Sequence, residues 1–224
     1  MSMIIAIDGP AGAGKSTIAK LLAEKLGVLY VDTGAMYRAL TLKVLRLNAD
    51  FKDTEKLIKI AFDTDIKLKK SKDHNTIVLL DGEDVTAPIR KPEVTNSVFH
   101  VASISPIRNL MVKFQREYAH IDNIVMEGRD IGTVVFPKAQ RKFYLDAKAI
   151  IRARRRKLEL EQKGIEIDIE DIVKQIKDRD AKDKARKCGP LKKAEDAVYI
   201  DTSNMNIPEV VNCLFTYIKD EKKK

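Results

Sequence analysis

The run Ile4-Ile5-Ala6-Ile7-Asp8-Gly9-Pro10-Ala11-Gly12-Ala13-Gly14-Lys15-Ser16-Thr17 constrains this chain more than any other stretch, because an apolar segment leads straight into G-x-x-x-x-G-K-[ST]. Gly9, Gly12 and Gly14 permit backbone conformations closed to residues with a side chain, so successive N–H groups can turn inward around phosphate oxygens. Lys15 adds a full positive charge at the β and γ phosphates of a nucleoside triphosphate, and Ser16 places a hydroxyl where Mg²⁺ can bind. The helix that starts there presents its positive dipole end to the same anion. Both flanks agree with this reading: Met3 to Ile7 forms a buried strand, and Ile18, Leu21, Leu22 and Leu26 recur at helical spacing before Gly27 closes the helix. Gly9 to Thr17, including Pro10, Ala11 and Ala13, is therefore the expected cradle for the phosphoryl donor. The acceptor is not disclosed by this loop.

Further apolar, β-type runs at Val28 to Val31, Asn123 to Met126, Lys142 to Leu145 and Ala197 to Ile200 alternate with helical periodicities. One helix opens with Ser105 as cap and Pro106 in its first turn, then sets Ile107, Leu110, Met111, Phe114 and Tyr118 on one stripe; the last carries Val210, Val211, Leu214, Phe215 and Ile218. The alternation predicts an α/β fold, a five-stranded parallel sheet with helices on both faces and ligand loops at the carboxyl ends of its strands.

One segment breaks the rhythm. Between Asp65 and Arg90, Ile66 and Leu68 alternate with lysines, Ser71 to Asn75 reads as a polar turn, and Thr76 to Leu80 runs into the tight-turn dipeptide Asp81-Gly82. The second and third sheet strands are about 90 residues apart, too far for a plain crossover. Residues 48–103 are thus expected to form a small antiparallel insert projecting from a core made of residues 1–47 and 104–224.

With 224 residues and 44% hydrophobic content, one sizeable core is within reach. Cys188 and Cys213 lie far apart and only three histidines are present, which argues against a zinc site or a disulfide scaffold and for a reducing, cytoplasmic setting. No apolar run approaches the roughly 20 residues of a membrane span, and no targeting segment precedes the first strand. The net charge of +9 calls for an anionic partner. Most of the excess sits between Lys148 and Lys193, where sixteen Lys/Arg face nine Asp/Glu without a single aromatic residue to stack a base. Phosphate chemistry accounts for that better than nucleic-acid binding. Lys219 to Lys224 reads as a frayed, solvated end. A GTPase switch is unsupported, since neither N-K-x-D nor D-x-x-G occurs.

Four charged clusters lie outside the glycine loop. Asp32-Thr33-Gly34-Ala35-Met36-Tyr37-Arg38 is an ordinary helix start if taken alone, with Thr33 a possible cap. Glu127-Gly128-Arg129-Asp130-Ile131-Gly132-Thr133 puts opposite charges side by side at a strand's carboxyl end, as a structural turn also would. Arg179, Asp183 and Arg186 are spaced i, i+4 and i+7, on one helix face, which is equally the pattern of a salt-bridged solvent face. Arg152-Ala153-Arg154-Arg155-Arg156 crowds four arginines whose mutual repulsion an anion would relieve.

In combination, I-D-G-P-A-G-A-G-K-S, D-T-G-A-M-Y-R, G-R-D-I-G-T-V-V-F-P and R-D-A-K-D-K-A-R, in this order and at these separations, resemble bacterial cytidylate kinase, a P-loop nucleoside monophosphate kinase, from about Ile4 to Ile207. The resemblance implies transfer of a phosphoryl group from ATP to CMP or dCMP with Mg²⁺ as cofactor, by a monomer; a kinase for another monophosphate such as UMP is the alternative. It makes the insert the monophosphate-binding domain and residues of about 148–190 an arginine-rich helical lid, to which Arg152 and Arg155 belong, closing over ATP. Thr33, Arg38, Arg129 and Arg186 would surround the acceptor phosphate, Asp183 with Arg179 would reach the sugar, and Arg108 and Asp130 would meet the base. Lys15, Arg129, Asp130 and Arg186 form the implied catalytic set, Ser16 the metal contact, and Asp201-Thr202-Ser203 the neighbourhood of the adenine. One position departs from the pattern: where a base-contacting serine is expected, nine residues before Arg108, the chain has Phe99, with Ser97 and Ser103 as the nearby hydroxyls.

Overall fold

β-Branched residues fill the strand Ile4–Asp8 (β1), and their alternation decides how the sheet is covered: Ile5 and Ile7 point to one face, Ala6 to the other, all fully buried. The computed structural model describes residues 2–70, 76–162 and 164–220. β1 is the central strand of a five-stranded parallel sheet whose other members are Leu29–Asp32 (β2), Ile124–Gly128 (β6), Arg141–Asp146 (β7) and Val198–Asp201 (β8), in the order β2-β6-β1-β7-β8. All five lie within two residues of their expected positions. Because β6 and β7 pair on either side of β1, the chain leaving β1 enters a crevice at the carboxyl edge, where open α/β sheets bind ligands.

One face is covered by Lys15–Leu26 (α1) and Ile207–Asp220 (α8), whose Ile18, Leu22, Val210 and Leu214 pack on Ile5, Ile7, Val125 and Phe143. The other carries Thr33–Arg46 (α2) and Ser105–Ile121 (α5), with Met36, Leu40, Ile107 and Met111 against Ala6, Ile124 and Met126. Gly27 ends α1 in the left-handed region, at φ 70°, as its spacing predicts.

The insert comprises Thr54–Phe62 (α3), the antiparallel strands Ile66–Lys70 (β3), Thr76–Leu80 (β4) and Glu83–Asp84 (β5), a 3₁₀ turn at Pro88–Arg90, and Pro92–Ala102 (α4). Asp81 and Gly82 both take positive φ, 50° and 88°, the signature of a two-residue hairpin turn. Ile66, Leu68, Val78 and Leu80 share one apolar cluster with α2 and α5, so the insert is rooted in the core rather than built on a core of its own. The polar turn expected at 71–75 lies outside the described residues. Ala149–Glu161 (α6) and Ile169–Lys184 (α7) form a helical hairpin held by Ala153, Leu160, Ile172 and Ile176.

Four local expectations are corrected. Asp32, not Thr33, caps α2, its carboxylate accepting from the Ala35 N–H at 2.9 Å, while the Thr33 hydroxyl donates to the Glu127 carbonyl. Ser105 is already helical and caps nothing; Ile104 occupies the cap position. α7 ends at Lys184, so Arg186 lies beyond the helix and its side chain reaches back to Asp183. α8 runs through Asp220, with the Lys219 ammonium 4.5 Å over the Phe215 ring, so Lys219 and Asp220 are helical rather than frayed, and the rest of that expected end, 221–224, lies outside the described residues.

Candidate active site

A cavity of about 1180 Å³ opens at the carboxyl edge of the sheet, walled by the glycine loop, α2, α4, the segment after β6, α6 and α7. Ala11, Gly12, Ala13, Gly14, Lys15, Ser16 and Thr17 form its floor. Gly9 and Pro10 do not line it. Gly9 sits where a Cβ would fall 2.0 Å from the Leu145 carbonyl oxygen, so only a glycine lets β1 turn into the loop beside β7. Pro10 contributes its carbonyl, which accepts from Lys15 Nζ at 2.8 Å and holds that ammonium over the loop. Burial, then the positive charge of Arg129, pushes Lys15 down to about 7.

Cations from opposite ends of the chain converge above this floor. Thr33, Arg38, Arg108, Arg129, Asp130, Arg179, Asp183 and Arg186 all line the same cavity, as do Asp32 and Glu127. Asp183, 2% exposed, accepts from Arg129 Nε at 2.8 Å and from Arg186 Nη2. Burial works against its ionisation, but Arg129 and Arg186 hold its carboxyl below the ordinary aspartate value. Arg38 pairs with Asp32 at 2.8 Å, and Arg108 with Asp130 at 2.5 Å. The Nε groups of Arg38, Arg108 and Arg186 are buried without a hydrogen-bond partner, and so is the Tyr37 hydroxyl beneath Arg108. Arg179 has no ion-pair partner among the described residues, and burial followed by repulsion from Arg129 lowers it to about 10.

Ser16 Oγ donates to Glu127 Oε1 at 2.5 Å. Burial, then the neighbouring Asp32 carboxylate, pushes Glu127 above the usual range. A hydroxyl and two mutually repelling carboxylates beside a phosphate cradle suit a hard divalent cation that keeps several waters, as Mg²⁺ does. Asp32 and Glu127 open two of the charged clusters legible in the sequence, but nothing local gives either a role beside Ser16; a carboxylate ending an apolar strand is the available signal. Asp8 was missed in the same way: 3% exposed, raised to about 7 chiefly by burial, it accepts the Ile131 and Gly132 N–H groups.

The arginine-rich segment divides. Arg155 lines the cavity and donates to the Thr202 hydroxyl and carbonyl. Arg152 does not line it. Its guanidinium is spent on the carbonyls of Ala11 and Ala147 and on Asp180, bracing the glycine loop from behind. Of the Asp201-Thr202-Ser203 loop, only Thr202 reaches the cavity. Phe99 lines the wall with the Lys182 ammonium 5.4 Å over its ring, whereas Ser97 and Ser103 are not among the lining residues.

The family model described as cytidylate kinase matches residues 5–220. A protein from Desulforamulus reducens named cytidylate kinase is 53% identical over 218 residues, covering 97% of each chain. Another of that name from Caldanaerobacter subterraneus subsp. tengcongensis is 49% identical over 223 residues, covering 100% of this chain and 97% of its own. Among solved structures, a gluconokinase from Sinorhizobium meliloti superposes with a TM-score of 0.50 at 11% identity, covering 99% of this chain and 94% of that one, a likeness of fold. No helix among the described residues is long and apolar enough to cross a membrane.

Proposed function

The chain belongs to the cytidylate kinase family of nucleoside monophosphate kinases, and on that premise we propose that it transfers the γ-phosphoryl group of ATP to CMP or dCMP, giving ADP and CDP or dCDP. The observation that carries this reading is the convergence of five arginines on one phosphate cradle. Arg38, Arg108, Arg129, Arg179 and Arg186 line the same cavity as Lys15 and the glycine loop. That many cations in one crevice repel one another, and entering polyanions relieve the repulsion.

The acceptor phosphate is itself the nucleophile, so no covalent intermediate is needed. The protein aligns two polyanions and offsets charge spread over the phosphoryl group in transit. Lys15 and the loop amides hold the donor; Thr33, Arg38, Arg129 and Arg186 hold the acceptor phosphate; Arg179 and Asp183 lie toward the sugar; Arg108 and Asp130 present a donor and an acceptor to the base edge. Ser16, with Glu127 and Asp32 behind it, would hold Mg²⁺, which when bound neutralises charge on the donor phosphates. The α6–α7 hairpin and the insert enclose the cavity from two sides, and their approach excludes water as a competing acceptor.

UMP is the second reading, because Phe99 puts an apolar ring in the cavity wall where a hydroxyl contact would help select cytosine, which relaxes the choice between CMP and UMP. ADP release measured with CMP, dCMP, UMP, AMP and GMP separates the two. CMP and dCMP are expected to give the highest kcat/KM. Preference for UMP selects the second reading, and preference for a purine monophosphate, or no stimulation by any of the five, overturns both.

A further inference from the structure

Asp8 is the last residue of β1, in register with Gly128 of β6. The two chain segments that leave these strands at the same level carry the two halves of the site: the glycine loop with Lys15, and Arg129-Asp130 with the turn that follows. Beyond this register the parallel ladder ends, and no further ladder hydrogen bonds fix one segment against the other. The Asp8 carboxylate takes over that task, Oδ1 accepting from Ile131 N at 2.8 Å and Oδ2 from Gly132 N at 2.7 Å. A Cβ on Gly132 would come within 3.3 Å of Asp8 Oδ2 and 3.2 Å of the Lys142 stem, so the approach is close.

Residues Ile131–Val135 form a π-helical turn, in which the Asp130 carbonyl accepts from the N–H groups of Val134 and Val135. Its far end is gripped from α5 by Arg116, whose Nε and Nη2 donate to the carbonyls of Val135 and Val134, both at 2.9 Å. A carboxyl group with its two oxygens on two successive backbone amides fixes both the distance and the tilt of this turn, and those bonds offset part of the cost of its burial.

We infer that Asp8 is a positioning residue, a strut that sets the donor cradle at Lys15 against the acceptor cations that begin at Arg129, and that Arg116 anchors the same turn from its other end. This rests on the phosphotransferase reading above. Asp8 does not line the cavity. It acts through the Ile131–Gly132 backbone on the alignment of the two phosphates, so its loss disturbs transfer more than the binding of either nucleotide alone.

The test compares wild type, Asp8→Asn, Asp8→Ala and Arg116→Gln in kcat at saturating ATP and CMP, in the Kd of ADP alone and of CMP alone, and in amide hydrogen exchange at Ile131 and Gly132. Misplacement of reacting groups by about 1 Å costs on the order of 10²-fold in rate. Asp8→Asn, which turns one acceptor oxygen into a donor, is expected to lose about that in kcat with each Kd within roughly threefold of wild type and faster exchange at one of the two amides. Asp8→Ala should lose more, and Arg116→Gln roughly tenfold. A folded Asp8→Asn with near-wild-type kcat, or one whose losses in kcat and in nucleotide affinity are equal, overturns the inference. If the Asp8 variants do not fold, Arg116→Gln decides, and an unchanged kcat there overturns it. Wild type that turns over no monophosphate removes the phosphotransferase reading, and this inference with it; active wild type beside an unimpaired variant removes this inference alone.

Discussion

Asp183→Ala should destabilise the protein strongly and make it depend on a bound anion. The carboxylate is 2% exposed and shared by Arg129 and Arg186, whose side chains are 19% and 9% exposed. Removing one partner of a buried pair leaves the other charge desolvated and uncompensated, at a cost of about 3–5 kcal/mol. For a chain of this length each kcal/mol moves the melting temperature by roughly 2–4 °C, so a fall on the order of 10 °C is expected. Phosphate should then recover part of the loss, because the Arg129, Arg179 and Arg186 cations have lost the carboxylate that competes with an oxyanion. A tenfold gain in phosphate affinity adds about 1.4 kcal/mol of stabilisation at saturation, so phosphate should raise the melting temperature of the variant by roughly 3 °C more than that of wild type. Arg129 and Arg186 hold the Asp183 carboxyl below its ordinary value of 3.8 against the effect of burial, so its contribution is present above that value and lost as the pH falls further. The difference between wild type and variant should therefore narrow in acid. Thermal unfolding with and without phosphate reads all three. A variant melting within about 2 °C of wild type, with no enhanced response to phosphate, would show that the cluster is not the buried charge centre the geometry describes.

Three further outcomes follow from individual contacts. Lys15, held at about 7 by burial and by Arg129, should regain its proton when triphosphate arrives, so ATP binding takes up protons above pH 7 and weakens by up to about tenfold per pH unit; calorimetry in buffers of different ionisation enthalpy checks this, and Lys15→Met should abolish the uptake. Arg38→Ala removes a charge-assisted contact to the acceptor phosphate and should raise KM for CMP by about 10- to 100-fold with little change in KM for ATP; an unchanged KM for CMP removes Arg38 from the acceptor side. Arg152→Ala unties the glycine loop from α6 and α7, so it should raise KM for ATP several-fold and lower the melting temperature; a change in KM for CMP alone would contradict the bracing role.

The elements most legible in the sequence are those whose signal is local. β1 and the glycine loop announce themselves because an apolar β-branched run, three glycines and Lys15-Ser16 are contiguous, and α1 ends at Gly27 because its left-handed φ is a property of one residue. The positions that escaped depend on partners far along the chain. Asp8 gains its meaning only when the Ile131 and Gly132 amides arrive from 123 and 124 residues away. Arg152 and Arg155 occupy one arginine run, but how α6 sits on the sheet sends one behind the glycine loop and the other into the cavity. Asp32 and Thr33 are both good capping residues, and their order was settled by tertiary demand, since the Thr33 hydroxyl is engaged by the Glu127 carbonyl on the neighbouring strand. Arg179, Asp183 and Arg186 were expected on one helix face, yet they converge although the helix stops before Arg186, because the side chain turns back to Asp183.

That last arrangement explains how so many cations can be collected in one crevice before any substrate is present. Unpaired arginines at this density would repel each other and resist burial, whereas arginines saturated by carboxylates would have nothing left for phosphate. The planar guanidinium allows a middle course. Asp32, Asp130 and Asp183 each occupy part of an arginine's donor set, through Arg38 Nη2, Arg108 Nη2 and Arg186 Nη2, and in all three the Nε is left buried and unpartnered. A lysine carries the same charge at one point, without the separated, planar donors of a guanidinium. Replacing Arg38, Arg108 or Arg186 by lysine should therefore preserve the net charge and much of the stability of the empty protein while losing acceptor affinity. A set of lysine variants that binds CMP as tightly as wild type would show that charge alone, rather than the planar fork of each guanidinium, recruits the acceptor.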